Sequence, residues 1–125
     1  MDWVVVYADE FVPEVERMAP AVRVELLARA DVLAEFGPAL GRPWVDTLKA
    51  SAFSNMKEMR FEVPGGVWRV AFAFDPARWA ALLMAANKIG LRGPAEHRFY
   101  QTLIAAADAR YAAHLRRLGT GREKR

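Results

Sequence analysis

The 125-residue sequence has no cysteine. Disulfides, thiol nucleophiles and thiolate metal sites are therefore excluded. Histidine is almost absent: His97 and His114 are the whole supply, too few for a zinc site. Asp2, Asp9, Asp46, Asp75 and Asp108 show no metal-ligand spacing, so neither metal nor other cofactor is expected. Apolar runs reach nowhere near the roughly 18–20 residues a membrane span needs. The opening Met1-Asp2-Trp3 is acidic where a signal peptide is basic, so a soluble cytoplasmic protein with no membrane partner is expected. A glycine-rich phosphate loop, a Walker motif and a G-x-S-x-G elbow are all missing, as are internal repeats and low-complexity segments.

Apolar residues make up 54% of the chain, enough to bury a core, and the length suits one domain. That domain is expected over residues 1–118, followed by a basic flexible tail over 119–125. The net charge of +3 is a mild basic bias, compatible with a polyanionic partner. Residues 2–7 read as a Val-rich strand. Asp9 is expected to cap a short helix over 10–18. Pro20 starts a second helix running to Glu35, with Val22, Leu26, Ala30 and Leu33 as its buried stripe and Glu25–Arg29 paired beside it. Gly37-Pro38 ends it. Residues 38–56 read as irregular, with Trp44 and Leu48 as anchors to the core. Strands are expected over 57–62, 67–74 and 79–87, joined by short turns at Val63-Pro64-Gly65-Gly66 and Asp75-Pro76-Ala77-Arg78, hence as an antiparallel meander. A long helix follows over 95–118, with a stripe of Phe99, Leu103, Ala107, Tyr111, Leu115 and Leu118. The order β-α-α-β-β-β-α describes an α+β domain, a small twisted, mainly antiparallel sheet with helices packed on one side.

The first turn fixes a register. If Val63 and Gly66 close it, Phe61 faces Trp68, Met59 faces Val70, and Arg60 stands directly opposite Arg69. Like charges so placed repel, and an arrangement that keeps them suits an anion. Closing the second turn on Asp75 and Arg78 sets Leu83 against Val70 and Ala81 against Phe72. It leaves Met84, Ala86 and Lys88 on the Arg60/Arg69 face. Glu58 and Glu62 share that face and could instead pair the arginines. Leu82 and Met84 could seat a partner segment there, or be covered by the last helix.

Arginine suits phosphate because its planar fork binds two oxygens and stays charged. RNA cleavage without a metal also needs a base for the 2′-hydroxyl and an acid for the leaving oxygen. Lys57, Glu58, Lys88, His97 and Tyr100 are the candidates. His97 and Tyr100 lie three apart on the last helix and can share a face. Phe99 and Tyr100 offer stacking surfaces, though Phe99 also fits the core stripe. Tyr111 and His114 read as structural, and the four tryptophans as packing residues.

Two stretches, Gly41-Arg42-Pro43-Trp44-Val45-Asp46-Thr47-Leu48-Lys49 and Ser54-Asn55-Met56-Lys57-Glu58-Met59-Arg60-Phe61, resemble the phage-derived, HigB-like branch of the RelE/ParE toxin superfamily. So do Trp68-Arg69-Val70-Ala71-Phe72-Ala73-Phe74-Asp75-Pro76, Asn87-Lys88, Phe99-Tyr100, Ala107-Asp108 and Tyr111-Ala112-Ala113-His114-Leu115. The resemblance covers residues 2–118. It implies a RelE-like βααβββα fold and a type II toxin that cleaves messenger RNA on the ribosome. It also implies a helix-turn-helix, HigA-like antitoxin as partner. Its site residues would be Lys57, Arg60, Arg69 and Lys88 for phosphate and transition-state charge, with His97 or Tyr100 for proton transfer. Arg92 is expected as a further RNA contact beside them. Where family members carry Gly-Gly-Asp-Lys, this chain has Ala85-Ala86-Asn87-Lys88. Two other functions fit the same fold: a ParE-like, non-catalytic inhibitor of DNA gyrase, and a nucleic-acid-binding module without toxicity.

Overall fold

The computed structural model describes residues 2–119. The tail expected over 119–125 lies outside them, apart from Gly119. The elements are β1 (Val4–Tyr7), α1 (Val12–Glu16), α2 (Pro20–Phe36), a 3-10 turn (Gly37–Ala39), β2 (Val45–Thr47), β3 (Met56–Val63), β4 (Gly66–Phe74), β5 (Trp79–Asn87) and α3 (Gly93–Gly119). They form one mixed sheet in the order β1-β5-β4-β3-β2. The meander β3-β4-β5 is antiparallel, β2 adds antiparallel to β3, and β1 pairs parallel with β5.

Several expectations are corrected. Val45–Thr47 is a strand inside the segment read as irregular; at three residues it is too short to show alternation. Asp9 does not cap α1, which starts after Phe11 without a side-chain cap; Asp9 pairs instead with Arg117 of α3. Leu48 is buried as expected, but Trp44 is half in water.

The helices do not share one side of the sheet. Val70, Ala71, Phe72 and Ala73 of β4 are all fully buried, so both faces are covered. Their unbroken apolar run is the pattern of a two-sided strand. α3 packs on β4 and β5, and its Tyr100 meets Arg69. α2 packs on β3 and β1 and takes the opposite face, which carries Met59 and Phe61. Its buried residues are the four of the expected stripe, Val22, Leu26, Ala30 and Leu33. On α3 the buried line runs Leu103, Ala107, Tyr111 and then His114 rather than Leu115. His114 Nε2 lies 2.7 Å from Asp75 Oδ2, a buried pair that ties the end of α3 to the β4–β5 turn.

The first turn behaves as its sequence dictates. Gly65 takes φ +77°, the left-handed conformation a type II turn requires at its third position. The pairs Arg60–Arg69, Phe61–Trp68 and Met59–Val70 are all present. The second turn is one residue longer than expected. Arg78 N–H donates to Asp75 O as in a type I turn, but Arg78 then adopts φ +67° and Asp75 pairs with Trp79. A type I turn followed by one left-handed residue is a standard three-residue hairpin loop. A bulge beside Ala71/Phe72 adds a second slip. Phe72 therefore pairs with Leu82 rather than Ala81, and Val70 with Ala85 rather than Leu83. Two slips restore the parity, so Ala86 stands opposite Arg69 and Met84 opposite Ala71, on the face expected. Leu82 is fully buried beneath the chain's own elements and offers no seat for a partner.

Candidate functional site

Period-2 alternation puts Glu58 and Arg60 of β3 and Arg69 of β4 on one face, and β2 sets Asp46 directly opposite Glu58. Two like-charge pairs, Asp46/Glu58 and Arg60/Arg69, thus sit diagonally and neutralise each other. Glu58 is the hub, only 4% exposed. Its Oε2 accepts bonds from Arg60 Nε at 3.1 Å and Nη2 at 2.8 Å. Its Oε1 is buried without a hydrogen bond and lies 3.7 Å from Arg69 Nε. Arg60 also reaches Asp46 at 3.4 Å, and Asp46 is held by Arg42 at 2.9 Å. The Glu58 bonds hold the Arg60 guanidinium's pKa above its ordinary value.

Tyr100, in the second turn of α3, hangs over the cluster. Its hydroxyl accepts a 3.2 Å bond from Arg69 Nε. Burial, reinforced by the Glu58 carboxylate, pushes this hydroxyl above the ordinary tyrosine range, and the Arg69 bond only partly offsets them. Tyr100 therefore keeps its proton at neutral pH and can give it to a developing oxyanion.

The other expected residues fall around this centre. Lys88 directly follows β5 on the same face, and its ammonium is paired with Glu96 of α3. That pairing draws the Glu96 pKa down. Arg92 is exposed in the turn between Lys88 and α3. His97 is exposed one turn before Tyr100, and the two line a shared groove on α3. Lys57 is not brought into the cluster: it stands opposite Phe72 on the other face, as the parity of β3 requires. Asn87 keeps the β5 end in order without the family aspartate. Its Oδ1 accepts from Val67 N–H and Ile89 N–H, and its Nδ2 donates to Gly65 O, a bond an aspartate could not make. Asp46 was missed by sequence reasoning because the strand that positions it was missed. Among the described residues no three His, Asp or Glu side chains converge as metal ligands, and no helix is long and apolar enough to cross a membrane.

The sheet and helices define a RelE-like fold. A free-state structure of the Escherichia coli toxin RelE, an arginine-to-alanine double mutant, matches with TM-score 0.56 at 10% identity, over 84% of this chain and 96% of that one. Residues 13–112 match the model of the phage derived protein Gp49-like family (DUF891). Two proteins of Mycobacterium tuberculosis (strain ATCC 25618 / H37Rv), named as candidate toxins HigB2 and HigB3, are each 43% identical over 104 and 103 residues. The matches cover 80% and 78% of this chain; they span only 48% of HigB2 but 84% of HigB3. The chain belongs to the phage-derived Gp49-like family of RelE/HigB-like toxins.

Proposed function

We propose that the chain is the toxin of a type II toxin–antitoxin pair and cleaves messenger RNA on the ribosome without a metal. It works in the cytoplasm and is neutralised by a helix-turn-helix antitoxin. The observation that carries this is the Arg60/Arg69 pair, directly opposed across two strands around a buried carboxylate, with a protonated hydroxyl above them.

The scissile phosphate displaces Glu58 from the two guanidiniums and lies between Arg60 and Arg69. Glu58 Oε1, the oxygen without a hydrogen bond, takes the proton of the ribose 2′-hydroxyl. The 2′-oxygen attacks phosphorus, and the charge growing on the phosphate is compensated by both arginines. The bond to the 5′-oxygen breaks, and Tyr100 returns a proton to that oxygen. The products are a 2′,3′-cyclic phosphate and a 5′-hydroxyl. Lys88, Arg92 and His97 hold flanking phosphates at the α3 end of this face. Lys57, on the other face, has no part in the chemistry.

The test compares wild type with Arg69→Ala in a translating extract containing a labelled messenger, mapping cut sites with and without ribosomes. Cleavage by wild type alone, and only with ribosomes, is expected. Removing one such charge stabiliser costs about 10²–10³ in rate. An intact message with both proteins would refute RNA cleavage and leave gyrase inhibition or plain RNA binding.

A further inference from the structure

Beside the catalytic cluster lies a second concavity of about 420 Å³, lined by Arg29, Pro43, Trp44, Arg60, Phe61, Glu62 and Arg69. It forms just before β2 begins: pairing of β2 with β3 starts at Val45–Met59, and beyond Arg60 no strand among the described residues lies beside that edge of β3. Three guanidiniums converge on it, and two of them, Arg60 and Arg69, also touch the catalytic cluster. Trp44 forms one wall. It is 48% exposed, unlike Trp79, which is buried. One face of its indole carries the Arg29 guanidinium, 5.2 Å from the ring centroid. Arg29 is itself held by Glu25 at 2.9 Å, so the stack is preset. Glu62, an exposed residue, adds a carboxylate to the lining.

We infer that this cleft is a nucleotide subsite, taking the base next to the scissile phosphate on the open face of Trp44. An aromatic ring backed by a cation is a stacking platform for any base. Arg29 and Arg60 suit the adjoining backbone phosphate. Glu62 can only accept hydrogen bonds, so it selects bases whose edge carries an exocyclic amine and disfavours uracil, whose edge is flanked by carbonyls. The subsite deepens the RNA-cleaving function proposed above and presupposes an RNA ligand. Three guanidiniums line the cleft, while their carboxylate partners Glu25, Glu58 and Asp46 lie outside its lining. That arrangement suits a polyanion able to exchange for those carboxylates better than an apolar peptide segment.

The test titrates the full chain with uncleavable 2′-O-methyl hexanucleotides that vary in one base, alongside cut-site mapping on a messenger. Trp44→Leu is expected to weaken binding about tenfold, the scale of one lost base stack, while Trp44→Phe restores it. Glu62→Gln is expected to erase the preference against uracil. Melting temperatures serve as the folding control, which a half-exposed Trp44 allows. Wild-type affinity and cut-site choice in Trp44→Leu would overturn the subsite while leaving cleavage standing. Trp44-dependent binding without cleavage would overturn the nuclease function and keep the subsite. Weakened antitoxin capture with unchanged RNA affinity would mark the cleft as a protein dock and sink the proposal.

Discussion

Replacing Glu58 with glutamine separates the two jobs assigned to its carboxylate, proton acceptor and counter-ion. Glutamine keeps the shape but leaves Arg60 and Arg69 facing each other without a buried negative charge. Stripping one partner from a buried ion pair costs about 3–5 kcal/mol. Here the penalty is softened, because the Arg60 side chain is 33% exposed and keeps Asp46 at 3.4 Å. Arg69, at 14% exposure, bears most of it. The expected destabilisation is therefore about 2–3 kcal/mol, just below that range. For a domain of this size it lowers the melting temperature by roughly 10 °C. Loss of the base slows cleavage by about 10²–10⁴. RNA affinity moves the other way. The phosphate no longer competes with a carboxylate for the guanidiniums, so an uncleavable oligonucleotide binds Glu58→Gln several-fold more tightly and raises its melting point more than that of wild type. Single-turnover cleavage, oligonucleotide titration and thermal melts read the three effects separately. A variant that cleaves within threefold of wild type, or loses affinity together with rate, would refute the role given to Glu58.

Glu96→Gln frees the Lys88 ammonium, and binding of the uncleavable RNA should tighten about threefold with a steeper salt dependence; an unchanged salt slope would remove Lys88 from the RNA path. Tyr7, Tyr100 and Tyr111 all have pKa values raised, chiefly by burial. A raised folded pKa means the native state holds its protons more tightly. Stability is thus full below the unfolded tyrosine value of about 10 and falls as pH rises through the folded values. Alkaline melts should show that fall, and Tyr111→Phe should reduce its slope. Arg110 donates to Glu14 at 2.6 Å and 2.7 Å and to Leu83 O at 2.9 Å, and its bond is the main cause of Glu14's lowered pKa. Arg110→Ala should cost about 1–2 kcal/mol at neutral pH. The part due to Glu14 is present above the unfolded glutamate pKa and disappears as pH falls through the lower folded value; a deficit constant down to pH 2 would contradict the pairing.

The arginine pair was legible in the sequence because it depends only on one local turn. Val63-Pro64-Gly65-Gly66 fixes its own geometry, and alternation then carries Arg60 to Arg69 without knowledge of the rest of the fold. The second hairpin was less legible. Nothing in Asp75-Pro76-Ala77-Arg78 announces that an arginine will take a left-handed conformation, and the Asp75–His114 pair that steadies this turn is made 39 residues away. The inferred face survived because the loop slip and the bulge cancel in parity. Lys57 shows the reverse. Residue chemistry and family likeness both brought it into the site, whereas the parity of β3 already set it on the face opposite Arg60. Asp46 and Trp44 depended on β2, whose three residues form a strand only because the β3 edge is there to pair with.

The charge pattern follows from that pairing. An arginine pair at 33% and 14% side-chain exposure would repel if left alone, and a lone carboxylate charge as buried as Glu58 would lose its hydration without compensation. Placed diagonally on three strands, the groups satisfy one another, and the resting site is close to neutral. Lys88–Glu96 repeats the device at the other end of the face. On the proposed function, a phosphodiester reaching Arg60, Arg69 or Lys88 exchanges for a carboxylate already in place, and the carboxylate it displaces from Arg60 and Arg69 is the one assigned to take the 2′-proton. Coupling between substrate entry and release of the base makes proton transfer depend on a correctly seated phosphate. A low intrinsic affinity for RNA is therefore expected, with the ribosome or the Trp44 cleft supplying the rest of the binding energy.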